Sequence, residues 1–221
     1  WEAATGGTLV GGCGLSECSP VLIADPVGPS RRAGTVGLPL PATEARVVDP
    51  ESPLNDVETG AEGELVVRGP QVFSGYWNKP EETAKVFVAD PAGGAPWFRT
   101  GDIVSIDPDG FVRIVDRIKE LIITGGFNVA PTEVEDVLRR HPSIADAAVV
   151  GLPDAVQGEA VVAAVVLADG ALLDEEALRA FARETLTPYK VPKRFIVSDE
   201  RPRSLIGKGL RKQVKGKLTA G

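Results

Sequence analysis

The sequence contains no methionine and one histidine, and its first residue is Trp1. A translated chain starts with Met, so this start predicts a fragment whose upstream part is missing. WEAATGGTLVGG is no signal-peptide remnant, because it lacks a basic stretch followed by an apolar one. The single His141 leaves no legible base for a Ser or Cys nucleophile. The two cysteines, Cys13 and Cys18, are too few for a disulfide framework. They have no His nearby and fall short of the roughly four ligands of a zinc site. They read as reduced thiols of a cytoplasmic protein. The longest apolar run, Ala160 to Ala168, is too short to span a bilayer. The phosphate loop G-x-x-x-x-G-K-[ST] and the dinucleotide fingerprint G-x-G-x-x-G are both missing. No internal repeat is visible.

What remains is ordinary for a soluble chain of 221 residues: 43% hydrophobic and 25% charged, enough for a packed core. The net charge of −7 argues against nucleic acid as the main partner. The charge is uneven, however. From Lys190 to Lys217 ten Lys or Arg stand against Asp199 and Glu200. A basic tail on an acidic protein suits a polyanion such as a nucleotide or CoA, and it equally suits a solvated charged surface.

The pattern predicts an α+β chain in two parts. GTVGLPL, ARVVD and GELVVRG, within residues 34–75, read as short strands separated by Pro, Asn, Asp and Gly. FRTGDIVSI and FVRIVD, within 98–116, read as a hairpin around Asp107-Pro108-Asp109-Gly110. Beyond Asp116 the character changes. Val134, Val137 and Leu138 make a helical stripe over 131–140. IADAAVVGL and EAVVAAVVLA read as buried strands. Asp174 is placed to cap a helix that buries Leu178, Phe181 and Ala182. RFIVSD is a last strand. The boundary falls near 116–120 without a Gly/Pro-rich linker, which predicts a hinge more than a tether.

Three strings carry chemistry. GCGLSECSP is a Gly-flanked turn that presents Ser16 and Glu17. Glycines let backbone N–H groups approach a phosphate, and a neighbouring carboxylate can hold the Mg²⁺ bound to it. WFRTGD places Asp102 after a Thr-Gly turn, where its carboxylate can accept two hydrogen bonds from a ribose diol. RSLIGKGLRK sets Lys208 between two glycines. Each string alone also fits a plain loop.

Their order is more specific. GCGLSECSP, GELVVRGPQVFSGYWNKPEET, WFRTGD, IVDRIKELIITGGFNVAPTEVE and PRSLIGKGLRK follow one another along essentially the whole chain. In this order the chain resembles the adenylate-forming superfamily of acyl-CoA synthetases, firefly luciferases and peptide-synthetase adenylation domains. The resemblance implies that residues 1–116 are the antiparallel, β-rich end of a large domain, a distorted barrel. Residues 117–221 are then a small mobile α+β cap. It implies a two-step reaction: a carboxylate and ATP give acyl-AMP and pyrophosphate, then CoA displaces AMP as a thioester.

Carried onto this sequence, the resemblance assigns Gly14, Leu15 and Ser16 to the AMP phosphate turn and Glu17 to Mg²⁺. Asp102 and Arg117 go to the ribose hydroxyls and Lys119 to the hinge. Gly125 and Gly126 lie by the CoA pantetheine, and Lys208 reaches the α-phosphate as the adenylation catalyst. Cys13 departs from the family's usual adenine-stacking Tyr, Ser16 from Thr, and Gly11 from a Glu common in fatty-acid enzymes. The phosphate loop and the acyl pocket lie upstream of Trp1, so residues 1–221 alone are expected to be inactive. The GGFNVAPTEVE stretch resembles fatty acyl-CoA synthetases more than peptide-synthetase domains, which implies a fatty or other medium-to-long acyl acid as substrate. The alternatives are a fatty acyl-AMP ligase that loads a carrier protein, and a truncated binding fragment that adenylates nothing.

Overall fold

Short β-branched runs broken by Pro, Gly and Asp fold as strands in the computed structural model, which describes residues 1–198, 211 and 214–216. The chain is α+β and divides into two units between Ile118 and Lys119. In the first unit, a single helical turn α1 (Glu2–Thr5) precedes β1 (Gly12–Gly14), β2 (Val21–Ala24) and β3 (Leu38–Pro39), a small antiparallel sheet. A larger antiparallel sheet follows from β4 (Glu44–Asp49), β5 (Ser52–Asp56), β6 (Gly63–Arg68), β7 (Phe87–Val88), β8 (Trp97–Ile106) and β9 (Val112–Arg117). Its order is β5-β4-β6-β8-β7, with β9 also paired to β8. Helix α2 (Pro80–Val86) enters through Pro80, whose missing N–H costs nothing at a helix start.

The two sheets meet where Val36 N donates to Val112 O and Val112 N donates to Gly37 O, both at 2.8 Å. Leu22 and Ile23 of the small sheet thereby share one core with Leu65, Val67, Phe98, Val104 and Val112 of the large one. This close approach explains why the strand expected over 34–40 shrinks to Leu38–Pro39. Gly37 has φ +98°, and a Cβ there would lie 2.1 Å from the Ala24 carbonyl carbon. The segment crosses β2 before it can run beside it. The expected hairpin of β8 and β9 forms, and Asp107 Oδ1 closes its turn by accepting from Asp109 N and Phe111 N at 2.9 Å each.

The second unit holds β10 (Ile122–Thr124), β11 (Phe127–Val129), α3 (Pro131–Leu138), β12 (Ile144–Asp154), β13 (Gly158–Leu167), α4 (Glu175–Arg183) and β14 (Arg194–Val197). The strands order as β11-β10-β13-β12, and β14 runs parallel beside β13. The stripe Val134, Val137 and Leu138 of α3 packs with Leu178 and Ala182 of α4 onto Val149, Val161 and Val165 of the long β12–β13 hairpin. Fully burying each such side chain contributes about 2 kcal/mol. Asp174 caps α4 as its position predicts, accepting from Ala177 N at 3.0 Å.

Candidate active site

The string GCGLSECSP is a strand followed by a turn. Gly12–Gly14 is β1, Leu15 is extended, and Ser16–Cys18 makes one 3-10 turn. Gly14 is required by contact: a Cβ there would sit 2.1 Å from Pro20 O. Ser16 is exposed and Glu17 half-buried, while Cys13 and Cys18 point into the core as free thiols. The turn is held from the far side by the GYWNKPEET segment. Phe73 N donates to Glu17 O at 2.8 Å, and the Tyr76 hydroxyl donates to Glu17 Oε1 at 2.9 Å.

Asp102 owes its position to a bulge. Glu64 of β6 pairs with Ile103 of β8 and Val66 pairs with Arg99, so Leu65 alone faces residues 100–102. Bulges re-aim side chains and are common beside active sites. Hydrogen bonds fix this one. Thr100 Oγ1 donates to Leu65 O at 2.8 Å, Asp102 N donates to Thr100 Oγ1 at 3.1 Å, and Gly101 N donates to Glu64 Oε1 at 3.2 Å. Glu64 is buried and is paired in turn by Arg99, whose Nε lies 2.8 Å from Oε2. Sequence reasoning passed over Glu64, although it stands in the quoted GELVVRG string; its partner is 37 residues away.

Asp102 is buried, and opposite it on β9 stands the half-exposed Arg117, with Nε 3.0 Å from Asp102 Oδ1. A buried carboxylate beside an exposed guanidinium offers an acceptor and a fork of donors, the complement of a diol or a phosphoryl oxygen. The GCGLSECSP string comes to the same place. Burial pushes the Cys13 thiol pKa up, the charge of Asp102 adds to that rise, and Arg117 opposes it. Burial raises the Cys18 thiol to about 11, with the charge of Glu17 contributing. The strings GCGLSECSP, WFRTGD and IVDRIKE, far apart in sequence, therefore come together within the first unit. Where a family member would carry Tyr, Cys13 is a buried core residue and offers no stacking ring.

In the second unit Lys119 is the first residue and is exposed. Gly125 and Gly126 are the two loop residues of the β10–β11 hairpin, with φ +57° and +82°. Positive φ at both central residues is what a type I′ turn demands, and glycine supplies it without strain. Lys119 also lines a cavity of about 490 Å³ together with Ile122, Val149, Glu159, Arg211 and Lys215. Arg211 and Lys215 are paired within the unit. Arg211 Nε and Nη2 reach Glu135 at 2.8 and 2.9 Å, and Lys215 Nζ reaches Glu159 at 2.9 Å. Lys208 lies outside the described residues.

Among the described residues, no group of three His, Cys, Asp or Glu could hold a metal unaided. A magnesium ion carried on nucleotide phosphates keeps several waters and takes one or two carboxylates, and Glu17 fits that donor set. No helix among the described residues is long and apolar enough to cross a membrane.

Two family models match the chain: AMP-binding enzyme over residues 1–77, and AMP-binding enzyme C-terminal domain over residues 133–208. The chain is 46% identical over 215 residues to a long-chain-fatty-acid–CoA ligase of Yersinia pestis. It is 45% identical, again over 215 residues, to one of Bacillus subtilis. Each alignment covers 97% of this chain and 37% of the relative, so the chain spans little more than a third of their length. Among solved structures, ATP-bound MatB from Rhodopseudomonas palustris superposes with a TM-score of 0.87 at 37% identity, over 99% of this chain and 42% of that one.

Proposed function

Because the chain belongs to the AMP-binding enzyme family, we propose that it forms the C-terminal part of an ATP-dependent acyl-CoA ligase acting on a fatty acid or similar carboxylate. The observation that carries this reading is the convergence of Asp102, Arg117 and the Cys13–Cys18 string at one place. An adenylate presents a ribose diol and a phosphate, and in this reading Asp102 and Arg117 take the diol while the turn after Cys13 takes the phosphate. The names of the relatives favour CoA as acceptor, and the ATP-bound neighbour favours ATP as the activating nucleotide.

In this reading the substrate carboxylate attacks the α-phosphate of ATP, forming acyl-AMP and releasing pyrophosphate. The CoA thiol then attacks the acyl carbon, and AMP leaves. Asp102 accepts the ribose hydroxyls and Arg117 steadies both the carboxylate and the sugar. The Gly14–Leu15–Ser16 turn and the Ser16 hydroxyl face the phosphate. Glu17 would hold the magnesium ion, which would neutralise phosphate charge. Lys208 stabilises the negative charge that develops at the α-phosphate, a task that needs positioning and positive charge more than a proton-transfer base. Lys119 is the joint at which residues 119–221 turn between half-reactions, and Gly125–Gly126 lie along the pantetheine.

The test uses the full-length enzyme. Lys208→Ala should slow acyl-AMP formation, read as ATP–pyrophosphate exchange, by about 10²–10³-fold. Thioester formation from supplied acyl-AMP and CoA should be largely spared. Equal loss in both half-reactions would refute the role given to Lys208. Thioester formation that proceeds equally without CoA, on a carrier protein, would replace the proposed acceptor.

A further inference from the structure

We propose that Tyr76 is a positioning residue for the Glu17 carboxylate; this rests on the reading that Glu17 holds the divalent cation. The Tyr76 phenol donates to Glu17 Oε1 at 2.9 Å across 59 residues of sequence. A glutamate on a single 3-10 turn has three free torsions, and the turn itself fixes none of them. One charge-assisted hydrogen bond from a rigid donor to Oε1 selects one arrangement, in which Oε2 would be the oxygen offered to a cation.

The donor is rigid for reasons built into its own segment. The Tyr76 ring stands edge-on to Phe73, with centroids 4.9 Å apart, and Phe73 stacks on Phe87 and meets Phe98 of the core. Tyr76 N donates to Thr83 Oγ1 at 2.9 Å, and that hydroxyl donates to Lys79 O at 2.9 Å, so the start of α2 pins the backbone. Phe73 N holds the Glu17 carbonyl at 2.8 Å. The backbone and side chain of Glu17 are thus gripped by one four-residue stretch, Phe73 to Tyr76. The neighbouring Trp77 is exposed and takes no part.

The experiment compares wild type, Tyr76→Phe and Glu17→Gln in the full-length enzyme. Phe keeps the ring and its contact with Phe73 and removes only the donor. Two quantities are read: the free Mg²⁺ concentration that half-saturates ATP–pyrophosphate exchange, and Mn²⁺ affinity in the presence of ATP by electron paramagnetic resonance. Tyr76→Phe should raise both constants about tenfold, while the rate at saturating Mg²⁺ stays within about threefold. A purely structural role would instead lower the rate at all Mg²⁺ concentrations and leave both constants in place; that result overturns the proposal. Unchanged constants in Tyr76→Phe with shifted constants in Glu17→Gln overturn the proposal alone. Unchanged constants in Glu17→Gln overturn the cation role of Glu17 and the proposal with it. If Tyr76→Phe is insoluble, Thr83→Val loosens the same tyrosine from its backbone anchor and is read in the same way.

Discussion

At the scale of single residues, the site is built from charges that the fold has taken out of water. Asp102 and Glu64 are buried carboxylates, and each has an arginine partner at the edge of solvent, Arg117 and Arg99. Removing the arginine of either pair leaves a buried carboxylate without its charge partner, so these residues carry stability as well as position. Burial disfavours the charged form of the two cysteines as well. Both thiol pKa values rise on folding, that of Cys18 from 9.0 to about 11. The folded state therefore binds these protons more tightly. The Cys18 contribution to stability is full below about pH 9 and is lost as pH rises through about 11. We expect a thiol-reactive dye at pH 8 to label neither Cys13 nor Cys18 rapidly in the native protein and to label both after unfolding. Fast labelling of the native thiols would contradict their burial.

At the scale of elements, caps and turns carry most of the local specification. Replacing Asp174 by Ala removes the side-chain cap of α4 and should cost about 1 kcal/mol, read as a lower denaturation midpoint of the second unit. A midpoint unchanged within error would mean that tertiary packing alone sets this helix end. Asp174, the α3 stripe and the β8–β9 hairpin were legible because each rests on residues within one or two turns of each other. Other features were hidden by distance. The pairing of Gly12–Gly14 with β2 looked like a plain glycine turn, and the strand expected over 34–40 was cut short by the crossing at Gly37. The bond between Glu17 and Tyr76 and the Glu64 support of the Gly101 amide join strings 59 and 37 residues apart. No local periodicity encodes such contacts. The resemblance to a family assigned Asp102 and Arg117 to one ligand, but their register across β8 and β9 emerges only from the fold.

At the scale of the whole molecule, the chain spans 37% of the length of its ligase relatives. Residues 1–221 alone should therefore give no ATP–pyrophosphate exchange above background, and detectable exchange would refute the need for an upstream half. The chain divides between Ile118 and Lys119, one residue past the arginine that pairs with Asp102. The bulge over residues 100–102 has a consequence for how this chain tolerates change. It inserts two extra residues into β8, an even number, so Phe98 and Val104 on either side still face the same core. Deleting a single residue there would reverse the parity of the strand and turn one of those side chains outward. Length in this stretch is thus more tightly constrained than identity: a substitution perturbs one contact, whereas a one-residue deletion exchanges inside for outside along everything that follows.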